Sequence, residues 1–317
     1  ESDAAGRVSR MLTLDETDLA GAVEELDARW RVVSDAASAV ASPLANRAAE
    51  AVAEVISAFE RRDWDWFKER FASEVISDDR RTGVNSGRHV GSDRLVDLTR
   101  SLADVGFTSI EQTPIAIRGD RLVLLERRWC DPDGFDLDVL ALIEVDEHDR
   151  TCRNTLFDPD DLPAALTELD ERFAAGEAAA FAAYVRDSAQ FWQLYNAREW
   201  DEMLTHLGAD WIAVDHRLAS AGAIQSASDF VAYARGMVEL VPDLVAYEDE
   251  YLLLGERCNV SRVIARGTST EGAEVEVQLL DLGEMVDGTL VRVEFFALEQ
   301  LDQATARFHE IEASPPA

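Results

Sequence analysis

Arg62-Asp63-Trp64-Asp65 returns later in the chain as Arg198-Glu199-Trp200-Asp201, and this recurrence decides the architecture. The offset of 136 residues persists downstream. Glu74-Val75-Ile76 matches Asp210-Trp211-Ile212, Asp79-Arg80-Arg81 matches Asp215-His216-Arg217, and Gly119-Asp120-Arg121 matches Gly255-Glu256-Arg257. After short gaps, Arg153-Asn154-Thr155-Leu156-Phe157 falls beside Arg292-Val293-Glu294-Phe295-Phe296. Repetition at a fixed offset marks duplicated structural units, so two copies of one domain are expected in tandem, at 45–175 and 176–317. A third, partial copy opens the chain: Leu14-Asp15 through Trp30 aligns without a gap to Phe157-Asp158 through Phe173. Residues 1–44 therefore read as the closing strand and helix of a preceding repeat plus a linker, and the chain as a piece of a longer polypeptide.

Each copy has the same element order. Ala49, Val52, Val55, Ile56 and Phe59 have helical spacing over 46–62, and Asp63 to Phe71 reads as a second helix with Trp64, Phe67 and Phe71 on one side. Ser92 or Asp93 is expected to cap a third helix carrying Leu95, Leu98, Leu102 and Val105. Strands follow at 110–117, 122–129, 137–145 and 151–157, separated by turn residues, and a last helix runs over 159–173. Helices first and an antiparallel meander after them predict the α+β class: two cone-shaped domains, each a curved antiparallel sheet wrapped around N-terminal helices.

The 317 residues carry 30 Lys+Arg against 63 Asp+Glu, a formal charge of −33, which disfavours a nucleic-acid role because such a surface repels phosphate. A hydrophobic content of 47% with seven Trp is enough to fill cores, so the acidity is expected to form a solvated shell. Three scattered cysteines without a CxxC pair fit a reducing cytoplasm, and no apolar run is long enough to span a bilayer. Nucleotide, zinc-protease, serine-hydrolase and calcium-loop motifs are missing, so neither a cofactor nor a metal is implied.

The Arg-Asp-Trp turn at 62–64, the run Phe71 to Asp79 and the Gly-Asp-Arg hairpins together resemble the nuclear transport factor 2-like fold, also called SnoaL-like or ketosteroid isomerase-like. More narrowly, Val214-Asp215-His216-Arg217 with Arg292-Val293-Glu294-Phe295-Phe296 is similar to tandem domains at the C-terminal ends of large actinobacterial cyclase/ATPase-type signalling proteins. The resemblance implies a conical apolar cavity in each domain and pairing of the two repeats through their outer sheet faces. It also places Asp79, and Asp215 by repetition, where the isomerases carry a general-base Asp. Burial could raise such a carboxyl's pKa; alternatively, Asp79 pairs with Arg81 and Asp215 with Arg217, since residues two apart on a strand share a face.

The candidate catalytic residues are thus Asp215, His216 and Asp79, although strand alternation points Asp215 and His216 to opposite faces. Candidate ligand contacts are Tyr195, Trp192, Trp211, Arg292, Trp129 and Arg153, with core packing the competing use for the aromatics. Ion pairing, with carboxylates such as Asp138 and Glu276, competes for the two arginines. The functional expectation is a tandem module that binds a small apolar molecule or a protein partner within a larger signalling polypeptide. The alternative is an isomerase, cyclase or hydrolase using an Asp base.

Overall fold

The computed structural model describes residues 44–83, 85–132, 134–217, 224 and 226–314. The expected repeat remnant at 1–44 lies, apart from Leu44, outside the described residues. The first domain comprises α1 (Arg47–Glu60), α2 (Trp64–Glu69), β1 (Phe71–Asp79), β2 (Gly87–Val90), α3 (Ser92–Asp104), β3 (Ser109–Arg118), β4 (Leu122–Cys130), β5 (Leu137–Val145), β6 (Thr151–Phe157) and α4 (Leu162–Ala175). A single 3₁₀ turn, Ala179–Phe181, leads into the second domain. That domain contains α5 (Ala182–Ala197), α6 (Trp200–Thr205), β7 (Leu207–Asp215), α7 (Ala227–Leu240), β8 (Val245–Leu254), β9 (Asn259–Thr268), β10 (Glu274–Val286), β11 (Thr289–Phe296) and α8 (Leu301–Ala313).

Both sheets are open, curved and built to one plan. Their orders are β2-β1-β6-β5-β4-β3 and, among the described residues, β7-β11-β10-β9-β8. The meander is antiparallel throughout, and the entry strand joins its far side in parallel: β1 along β6, β7 along β11. Arg153 lies opposite Ile76 and Arg292 opposite Ile212, so the register reproduces the sequence repeat.

The quoted Arg-Asp-Trp turn works through its arginine. Arg62 and Arg198 have φ of 57° and 62°, the left-handed region that ends a helix abruptly. Their guanidinium groups then donate to the carbonyls of Phe107 and Leu244, tying the turn to the approach of β3 and β8. Trp64 and Trp200 are only partly buried and Trp66 is exposed; Phe67 and Met203 are the side chains the turn buries. The Gly-Asp-Arg hairpins recur because a glutamate caps each one, from the turn after α4 in the first domain and from α8 in the second. Glu177 accepts from the Asp120 and Arg121 amides, and Glu312 from those of Arg257 and Cys258.

Three local expectations are corrected. Ser92 is the first residue of α3 rather than its cap; Gly91, at φ 96°, occupies the cap position, and Asp93 pairs instead with Lys68 at 2.6 Å. The second helix stops at Glu69 because the chain must extend into β1 at Phe71. The last helix of the first domain begins at Leu162, with Pro163 in its first turn, where a missing amide costs nothing.

The two domains share a core. Ile115, Leu124, Leu142 and Phe157 from the first sheet's outer face pack with Leu166 and Leu169 of α4, Val185 of α5 and Tyr247 of β8. Phe173 stacks on Tyr251 at 5.9 Å. Arg118, fully buried in this seam, donates from Nε to Asp170 Oδ1 at 2.7 Å and from Nη2 to the Glu248 carbonyl at 3.0 Å. At the rim, Arg266 bonds Glu126 across the seam at 2.7 Å.

Candidate functional site

Inside the first domain, α1, α3 and the concave sheet face enclose a cavity of about 360 Å³. Its size lies near the lower end of small-molecule sites, which run from roughly 300 to 1,000 Å³. The apolar wall follows from two periodicities. Val52, Val55 and Ile56 repeat along α1, and Leu95, Leu98 and Leu102 along α3. Trp129, Leu137 and Ile110 come from successive strands. Val105 lines the cavity and is 70% exposed, so it marks an opening.

Few polar side chains interrupt this wall. Asp79 is 3% exposed and held by Arg81 through two bonds of 2.8 Å, with the Ser86 amide adding a third at 2.9 Å. Burial alone would raise the Asp79 carboxyl, but Arg81 and that amide outweigh it and hold its pKa below the ordinary value. The raised pKa that a general base would need is therefore not found. Arg81 is satisfied by the same contacts. Asn154 offers a side-chain oxygen without a partner, and its amide reaches Ser77 Oγ only at 3.4 Å.

Arg127 is the exception among the cavity's charged groups. It stands on β4 between Leu125 and Trp129, which strand alternation turns inward with it. Its Nε has no partner, and Nη2 reaches Gln112 Oε1 only at 3.5 Å. Burial pushes its pKa down to about 10, which still leaves it a cation at neutral pH.

The remaining candidates are dispersed. Trp129 is in the cavity wall, edge-on to Phe59 at 5.2 Å. Arg153 lies 4.0 Å from Glu168, because Asp138 sits opposite Arg128 across β4 and β5 and pairs with it at 2.7 Å. Arg292 bonds Glu284 and Glu294, each at 3.2 Å, while Glu276 bonds Gln278; the neighbouring β10 and β11 carboxylates are nearer than Glu276. The expected Arg153–Asp138 and Arg292–Glu276 pairs are thus replaced by others.

In the second domain, Asp215 takes Arg217 at 2.8 and 2.9 Å, whereas His216 bonds Glu294 at 2.9 Å and stacks on Phe296. Asp215 and His216 do not form a dyad. Tyr195 packs edge-on between Trp192 and Trp200, and Trp211 against Phe230 at 5.3 Å, within one aromatic core. Trp192 also borders a groove of about 460 Å³ at the seam, beside Asp170 and Tyr247.

Two clusters carry little sequence signal. Glu248, 3% exposed, accepts from Asn259, Ser261, Ser188 and Tyr251 at 2.7 to 3.0 Å. Asp281 is also buried, and its Oδ1 has no partner. Burial, and then the Glu248 charge, push its carboxyl well above the ordinary range. The void these residues enclose with Tyr184 and Phe191 is about 10 Å³, room for one water. Among the described residues no cluster of three or more His, Cys, Asp or Glu is arranged to hold a metal, and no helix is long and apolar enough to cross a membrane.

No family model matches the sequence, and no curated protein is detectably similar to it. Solved NTF2-like and polyketide cyclase structures are similar to part of the chain. A putative hydroxylase, AclR, from Streptomyces galilaeus is 15% identical with a TM-score of 0.32, covering 43% of this chain and 99% of its own. An NTF2-like protein of unknown function from Burkholderia pseudomallei is 14% identical with a TM-score of 0.31, covering 38% of this chain and 96% of its own. A putative polyketide cyclase from Bacillus cereus is 16% identical with a TM-score of 0.31, covering 36% of this chain and 74% of its own. The architecture above rests on strand order and register, and these similarities add no activity to it.

Proposed function

We propose that the chain is a small-molecule-binding module whose first domain holds the ligand and whose second domain supports it. The observation that carries this reading is the cavity of about 360 Å³ walled by Val55, Ile56, Leu95, Leu102 and Trp129. An unfilled apolar volume of that size forfeits packing that the sequence could have supplied. Binding is favoured over proton transfer because Asp79, the carboxylate at this wall, is bidentately held by Arg81. The pairing of the repeats across the Arg118 seam belongs to the same reading. A place within a larger signalling polypeptide is supported by the sequence resemblance alone.

The second domain supplies the test. At the positions of Val55 and Ile56 it carries Phe191 and Trp192. Melting of the full chain with 2-naphthol and similar neutral aromatics should show stabilisation of the wild type, since a ligand of the folded state raises the melting temperature. The double variant Val55→Phe, Ile56→Trp should fold and show none. An equal shift in that variant, or no shift in the wild type across the series, removes the reading.

A further inference from the structure

We propose that the first domain's cavity selects amphipathic anions, with a carboxylate seated on Arg127 and a hydrocarbon body against Leu95, Leu102, Ile110 and Trp129. This rests on the cavity being a binding site and adds the class of ligand it takes.

The argument begins with the neighbours of Arg127. Glu126 and Arg128 point to the other face of β4, and both are paired, with Arg266 at 2.7 Å and with Asp138 at 2.7 Å. The inward residue between them has no carboxylate, although the chain holds 63 acidic side chains against 30 basic ones. The other cavity arginine, Arg81, is neutralised by Asp79. Arg118, fully buried in the seam, has Asp170. The buried guanidinium groups of Arg81, Arg118, Arg172 and Arg262 each have an acid, whereas the half-buried one facing the empty volume has none among the described residues.

An unpaired cation among apolar walls is a standing cost to the fold. Its planar fork presents Nε and Nη2 side by side, the geometry that takes both oxygens of one carboxylate. Nε is unbonded, and Nη2 has only the 3.5 Å contact to Gln112, so both donors can turn to a ligand without breaking a strong bond. The surrounding hydrocarbon strengthens that attraction by excluding water. The second domain lacks the device: at the position of Arg127 it has Val263, buried and opposite Glu248 as Arg127 is opposite Gln112.

The test compares acids with their own neutral amides on the full chain by titration calorimetry. The probes are 2-naphthoate and 4-phenylbutyrate at neutral pH, each beside its primary amide. The wild type should prefer each acid by about 10- to 100-fold, the usual worth of a hydrogen bond to a charged group. Arg127→Met should bind acid and amide alike, and it should melt at a higher temperature than the wild type when ligand-free, because the unpaired charge is gone. Arg127→Lys should retain part of the preference. If acid and amide bind the wild type equally, the anion site is overturned while the cavity remains a binding site. If no probe, acid or amide, binds the wild type, the cavity reading falls and the anion site with it.

Discussion

Beneath the first turns of α1, Ala48, Val52, Val123, Leu125 and Ala141 meet in hydrocarbon. At the matching places the second domain has Tyr184, Ser188, Asn259, Ser261 and Asp281, gathered around Glu248. Further along the cone the contrast inverts. The first domain leaves a cavity with Arg127 in its wall, and among the described residues the second places Phe191, Trp192, Trp211 and Phe230 in the corresponding space. One backbone plan thus tolerates opposite interiors, provided that most polar groups enclosed without room for a ligand find partners within the fold; Asp281 Oδ1 is an exception, and its carboxyl is held protonated instead. On the proposed reading, the partner of Arg127, which faces room, is a ligand.

Replacing Glu248 gives the sharpest way to break this comparison. Glu248→Ala orphans four donors and should cost about 3–5 kcal/mol in urea unfolding, because each buried donor left unsatisfied costs about 1–3 kcal/mol. Gln112→Ala, at the equivalent place in the first domain, should cost no more than about 1 kcal/mol, one weak bond's worth. Equal costs would mean that the two interiors are not differently built.

Asp281 sharpens the contrast through pH. Its folded pKa is raised, so the fold keeps a proton that the unfolded chain releases above pH 3.8, and stability drains away as pH climbs from there towards the folded value. Asp281→Asn removes that loss. Its advantage over the wild type should be near zero at about pH 4 and grow to about 1–3 kcal/mol by pH 8, the cost of a poorly satisfied buried group. Unfolding curves at three pH values would show it, and an advantage independent of pH would contradict it.

The smallest effect concerns the helix after the repeated turn. Asp63 accepts the Trp66 amide at 3.2 Å, whereas Glu199 makes no such bond. Asp63→Ala should cost about 1 kcal/mol and Glu199→Ala only a few tenths. A reversed order would show that the turn is stabilised by its arginine alone.

The repeated turn, the helix spacing and the alternating strands made the fold legible, because each is a local pattern that a sheet and helix must satisfy. β4, β5 and β6 lie within a residue of where turn chemistry put them. The short β2 was not legible, since Gly87 to Val90 has neither length nor an apolar face. The site was legible in part. Two-residue spacing already suggested Asp79 with Arg81, and Trp129 was singled out. Stepping back two residues from Trp129 along its strand reaches Arg127, so the alternation contained that residue as well. Glu248 could not be found this way, because Glu248, Asp249 and Glu250 are consecutive acids and the irregular register of β8 decides which turns inward. Arg118 was equally hidden, as its burial is created by the second domain rather than by its own strand.

Arg118 also determines whether the repeats are separable. It reaches out of one copy and holds the main chain of the other at Glu248, whose carboxylate organises that copy's interior. Leu124, Leu142 and Phe157 are covered from the same direction. The two domains are therefore interdependent: loss of the second would uncover the centre of the first.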